Sequence, residues 1–144
     1  MNIKILSVGR VKDPDLRNKI GDYTRRISRD ARIAFQAIKD SDSETEGRKL
    51  TDILVKEDGY VFALAEEGTI YTSAKFAARI NAIQKKLIFV IGGPMGLSPA
   101  VKKRADEILS LSRMTFSHEM VQLFLLEQIY RGISINLNRK YHKA

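Results

Sequence analysis

The stretch "KLIFVIGGPMGLSPA", residues 86–100, constrains this chain more than any other. Leu87 to Ile91 form an unbroken apolar run, which fits a strand covered on both faces and argues for a parallel sheet between helices. Gly92, Gly93, Pro94 and Gly96 then force a tight turn. Ser98 and Pro99 read as the first residues of a helix. In open α/β sheets, ligands bind beyond the carboxyl ends of the strands, where this turn lies. Glycines there admit two readings. They only turn a strand into a helix, or they leave bare backbone for a ligand to approach. Two familiar phosphate motifs fail. Counted from Gly92, the later glycine positions of a dinucleotide fingerprint hold Pro94 and Leu97, and no Gly-Lys-Ser/Thr closes a P-loop.

The rest of the chain fits the same class. "IKILSVG" (3–9) reads as a strand ending at Gly9. Asp13-Pro14 opens a helix whose stripe is Leu16, Ile20, Tyr23 and Ile27. "RIAFQAI" (32–38) alternates Ile33, Phe35 and Ala37 as a strand, and Thr45–Lys56 follows as a helix with Leu50, Ile53 and Leu54 inward. "YVFALA" (60–65) is a strand that the Glu67-Gly68 turn ends. Residues 72–85 form a helix with Phe76, Ile80 and Ile83 on one side. Strands alternating with helices predict one α/β domain with a mainly parallel sheet.

Near the end, a short strand is expected at Met114–Phe116, then a helix from His118 to Arg131 capped by Ser117 and ended by Gly132. Met120, Val121, Leu123, Phe124, Leu125, Leu126, Ile129 and Tyr130 leave that helix almost no polar face, so it should be buried nearly all round. A second copy of the chain could bury it, as could the monomer. Glu127 and Arg131, four apart, can pair.

The 144 residues carry a net charge of +8 and no cysteine. Disulfides and thiolate metal sites are excluded, and two histidines, His118 and His142, make no metal cluster, so no metal is expected. No apolar run is long enough for a bilayer and the start has no signal-peptide pattern, so a soluble cytoplasmic protein without a membrane partner is expected. The charge favours a polyanionic partner. Candidate RNA contacts are Arg10, Arg25 and Arg26 early in the chain and Arg139, Lys140 and Lys143 in the tail.

"IGGPMGLSP", "LSRMTFSHEMVQLFLLEQIYR" and the terminal "NRKYHK" resemble the RlmH family of small SPOUT-class RNA methyltransferases, and the likeness runs from "IKILSVGR" to the tail. The resemblance implies a SPOUT α/β domain with a C-terminal trefoil knot, acting as a homodimer. It implies S-adenosylmethionine as cofactor and methylation of N3 of a pseudouridine in large-subunit ribosomal RNA, with the assembled ribosome as substrate. Carried over, the cofactor site takes Leu64, Gly92, Gly93, Gly96, and Ser112, Arg113, Met114, Thr115, Phe116 and Ser117. His118, Tyr141 and His142 become the catalytic candidates, the last two through a tail that reaches the partner's cleft. The family's usual ending is Tyr-His-Arg. Lys143 keeps the charge of that arginine and loses its bidentate fork. The competing reading is a non-catalytic basic module that binds ribosomal RNA or a nucleotide through the same turn. A phosphoester enzyme using the turn as an anion nest is a third.

Overall fold

The structure is a computed structural model that describes residues 1–143. Strands β1 (Asn2–Val8), β2 (Arg32–Ile38), β3 (Gly59–Ile70), β4 (Lys86–Ile91) and β5 (Glu107–Ser110) form one sheet in the order β2-β1-β4-β3-β5, with parallel pairing throughout. The apolar run 87–91 is thus near the middle, where both faces are covered. Helices α1 (Pro14–Ser28), α3 (Ser73–Ala82) and α5 (His118–Asn136) pack on one face, over Ile3, Ile5, Phe62, Leu87, Phe89 and Ile91. Helices α2 (Ser43–Val55) and α4 (Pro99–Arg104) pack on the other, over Leu6, Val8, Val61, Ala63, Ile88 and Val90. The alternation of these two sets along each strand is the two-residue period of a pleated sheet. Phe62 and Phe89 stack at 4.9 Å between centroids on adjacent strands. Each such side chain contributes roughly 1.5–3 kcal/mol by leaving water.

Side-chain caps fix where the helices begin. Asp13, Asp42, Thr72, Ser98 and Ser117 each accept from a backbone N–H in the first turn. Capped by Asp42, α2 starts at Ser43, two residues before the expected Thr45. At the other end of α3, Ile83 is extended and the helix stops at Ala82 rather than 85.

Three expectations need correction. The Glu67-Gly68 turn does not end β3. Residues 65–68 bulge outward, and both Leu64 and Thr69 register with Leu109 before the strand resumes. No strand forms at Met114–Phe116. The last strand is β5, seven residues earlier, because Ser110 Oγ donates to Ser112 O at 3.0 Å and Ser112 Oγ accepts from Met114 N at 2.9 Å. Such local bonds compete with a ladder and hold 111–117 as a loop. Nor does Gly132 end α5. It lies inside the helix, where an added Cβ would meet Ile80 Cδ1 at 2.9 Å, so the glycine is a packing residue against α3. The helix runs on to Asn136 and is closed beyond its cap by Asn138, whose φ of 57° permits the paired bonds Asn138 N–Ile135 O and Arg139 N–Ser134 O. The single chain by itself covers only one side of α5. Leu125, Leu126, Ile129 and Ile133 are buried, whereas Met120, Leu123, Phe124 and Tyr130 are only half covered.

Candidate functional site

The bulge of β3, the carboxyl end of β4, the glycine turn, the loop 111–117 and the first turn of α5 enclose a cleft with about 540 Å³ of free space, counted to its open mouth. Its shape follows from the turn. Gly96 N–H donates to Gly93 O at 2.9 Å, and the two residues form an isolated bridge. A Cβ on Gly92 would lie 2.8 Å from the Gly96 carbonyl carbon and 3.0 Å from Leu97 N, so the turn folds back on bare backbone. Gly96 has a φ of 74°, which ordinary side chains adopt at a cost. The two readings of the glycines therefore combine: the turn needs Gly92 and Gly96 for itself, and the wall it makes is peptide.

Of the residues anticipated for a cofactor, Leu64, Gly92, Gly93, Gly96, Ser112, Met114 and Phe116 line this cleft. Arg113, Thr115 and Ser117 share the loop without lining it. The Arg113 guanidinium points away, donating to Gly68 O at 2.8 Å and to Glu66 O, so it fastens the loop to the bulge of β3. Ser117 caps α5, and Thr115 is exposed. His118 lines the cleft from α5, and its ring makes no hydrogen bond among the described residues. Ala65, Glu66, Ile91, Leu111 and Val121 also line it, and sequence reasoning missed them. The first two directly follow Leu64, at the end of the expected strand 60–65 and just before the expected Glu67-Gly68 turn.

The cleft suits an adenosine-bearing ligand. Leu64, Met114, Phe116 and Val121 offer apolar surface to the faces of a heterocycle, and the 92–96 backbone offers amide and carbonyl groups to its edges. Met114 stands 73 % exposed and Phe116 38 %, uncovered apolar surface at the mouth.

The tail lies elsewhere. Tyr141 donates to Glu127 Oε2 at 2.8 Å and its oxygen sits 3.0 Å from Tyr23 Oη. Arg131 Nη2 holds the same Glu127 oxygen at 2.8 Å, and Arg131 Nη1 donates to His142 Nδ1 at 3.1 Å. Glu127 is nine residues along α5 from His118, about 14 Å at 1.5 Å per residue. The tail of one chain is therefore clasped well away from that chain's own cleft. Burial, with Tyr23 and Glu127 beside it, raises Tyr141 far above an ordinary phenol, so it stays protonated near neutrality. Because a guanidinium only donates, His142 Nδ1 accepts and the ring proton belongs on Nε2.

The candidate RNA contacts divide. Arg10, Lys140 and Lys143 are exposed. Arg25 is exposed 4.0 Å from Asp22. Arg26 lies over the Tyr23 and Tyr130 rings and pairs with Asp22 at 3.2 Å. Arg139 grips Asp30 through two bonds of 2.6 and 2.7 Å, at the amino end of the sheet. The structure does not gather these six into one surface. No helix among the described residues is long and apolar enough to cross a membrane, and no group of three or more metal-ligating side chains is found among them.

A family model described as "Predicted SPOUT methyltransferase" matches residues 1–142. A ribosomal RNA large subunit methyltransferase H from Exiguobacterium is 38% identical over 159 residues, covering 99% of this chain and 100% of its own. Among solved structures, a methylase-family protein from Haemophilus influenzae superposes with a TM-score of 0.61 at 13% identity, over 99% of this chain and 71% of that one. A methyltransferase from Legionella pneumophila, solved with bound SAM, gives 0.58 at 8% identity, over 92% and 66%. At such identities the structural matches show the shared fold alone.

Proposed function

The chain belongs to the SPOUT methyltransferase family, in its ribosomal RNA large subunit methyltransferase H branch, and from that premise we propose that it moves a methyl group from S-adenosylmethionine to N3 of a pseudouridine in large-subunit ribosomal RNA. The observation that supports this best is the peptide-walled cleft between the carboxyl end of β4 and the bulge of β3, where Leu64, Met114 and Phe116 flank the glycine turn. Those residues would hold the cofactor. Bound there, it supplies a methyl group already activated by its sulfonium. The chain must then orient the acceptor nitrogen and accept its proton. Orientation is worth about 7–11 kcal/mol in favourable cases, and a positioned base about 10²–10⁴-fold.

Glu66 and His118 are the titratable side chains on the cleft wall. His118, an imidazole with no other partner among the described residues, is the proton acceptor in this reading. His142, as held here, offers an Nε2–H, while the protonated Tyr141 already gives its hydrogen to Glu127 and holds the tail in place. The His142 donor suits a carbonyl oxygen of the target base better than its imide proton. Since the tail is clasped far from its own cleft, a second copy of the chain brings Tyr141 and His142 to it. The half-covered apolar side of α5 is where that copy packs. A C-terminal knot and a cytoplasmic site of action belong to the same reading.

The experiment is transfer of labelled methyl groups to intact ribosomes lacking the modification, set beside the free stem-loop RNA. Transfer to ribosomes should exceed transfer to free RNA by at least tenfold, and should weaken with added salt as phosphate contacts are screened. No labelling of ribosomes would refute the reading. Equal labelling of the free stem-loop would refute the ribosome as substrate.

A further inference from the structure

We propose that a groove at the carboxyl ends of β1 and β2 binds one unpaired nucleotide of the RNA substrate, its base stacked on Phe35 and its phosphate met by Arg10. The inference rests on the methyltransferase reading and adds to it a substrate site separate from the cofactor cleft.

Phe35 is the starting observation. It registers opposite Ile5 and faces the same side of the sheet. Ile5 is 1 % exposed under the helices, while Phe35, on the edge strand, is 43 % exposed. The alternation of β2 aimed it inward, and the fold leaves it uncovered. Around it the groove is walled by Arg10, Arg17, Thr24, Gln36 and Gln122, with no acidic side chain. Each of these has a distinct capacity. The Arg17 guanidinium is fixed, donating to Val11 O at 3.1 and 3.4 Å, and forms part of the wall. Arg10 is exposed and has no ion pair among the described residues, so its charge is available to an anion. The side-chain amides of Gln36 and Gln122 have no hydrogen-bond partner among the described residues, and each offers both donors and an acceptor to the edge of a base.

Charge decides the class of occupant. The groove carries two arginines and no carboxylate, so it calls for an anionic occupant. An exposed aromatic face between cations suits a stacked base joined to a phosphate. Position makes that base a neighbour of the target. His118 lines the cofactor cleft and Gln122 lines the groove. They are four apart on α5 and share one helix face, about 6 Å along the axis. A single strand can cross the first turns of α5 with one nucleotide in each site.

The test uses the full chain and a fluorescein-labelled octauridylate, followed by anisotropy over a salt series. Phe35→Ala and Phe35→Leu should each weaken binding about tenfold with the salt slope unchanged, and Phe35→Tyr should restore it. Arg10→Gln should reduce the slope of log affinity against log salt by about 0.7, one phosphate contact on a single strand. Binding by Phe35→Ala or Phe35→Leu within twofold of the parent overturns the proposal. So does a change of oligomeric state in Phe35→Ala by sedimentation, which would give the patch to a second copy. Failure of the methyltransferase reading shows differently, as a parent protein that does not bind S-adenosylmethionine in calorimetry whatever happens at Phe35.

Discussion

Gly92→Val lowers the affinity for S-adenosylmethionine at least 100-fold while the chain remains folded. The added Cβ would stand 2.8 Å from the Gly96 carbonyl carbon and 3.0 Å from Leu97 N. Both are backbone atoms, so relief requires the 92–97 turn to swing open. That breaks the Gly96 N–Gly93 O bond and withdraws the wall of the cleft. Overpacking of this kind costs about 1–3 kcal/mol, within the roughly 5–15 kcal/mol by which a domain is stable. Gly93→Ala is the control. Its Cβ would meet Val8 Cγ1 at 3.0 Å, a side-chain atom on the α2 side that can yield. Its effect on affinity should stay below tenfold. Calorimetric titration of the three proteins, with thermal unfolding as the check on folding, measures both effects. Equal binding by parent and Gly92→Val would show that the donor lies elsewhere.

The second large effect is on turnover. A chain ending at Lys140 lacks Tyr141 and His142 and should lose about 10²–10⁴-fold in methyl transfer, with cofactor affinity within twofold of the parent. The separation follows from geometry. Both side chains are held at Glu127 and Arg131 on α5, and neither lines the cleft of its own chain. Removing them leaves the Glu127–Arg131 pair and the core of α5 in place. Mixing decides whether the tail serves a partner. The truncated chain keeps a sound cleft, and Gly92→Val keeps a sound tail. If each cleft is completed by the other copy, an exchanged equimolar mixture should regain about a quarter of the parent's activity, from the one complete site in each heterodimer. No recovery, with exchange shown by a tagged copy, would place each tail in its own cleft.

Much of this was legible in the sequence because local chemistry agreed with the fold. The run 87–91 demanded cover on two faces and received it. Asp13, Ser98 and Ser117 announced helix starts that the structure keeps. The glycine turn marked the cleft because its glycines answer to backbone geometry that a sequence can imply. The misses lay where distant partners override local signals. Glu67-Gly68 reads as a turn, and the chain does bulge there, but pairing with β5 carries the strand on to Ile70. Gly132 reads as a helix stop, but α3 lies against it and needs the room. Arg113 sits inside the cofactor motif, yet its charge serves the carbonyls of a bulge that no local pattern shows. Phe35 followed the inward stripe of β2, and only the order of strands reveals that β2 is an edge.

Hydrogen exchange of the full chain, with and without saturating S-adenosylmethionine, tests the central claim most directly. Added protection should fall on the amides of 92–97 and 111–118, the glycine turn and the loop that faces it, and should leave α2 unchanged. Unaltered exchange at 92–97, with protection gained at another part of the molecule, would contradict the placement of the methyl donor against that turn.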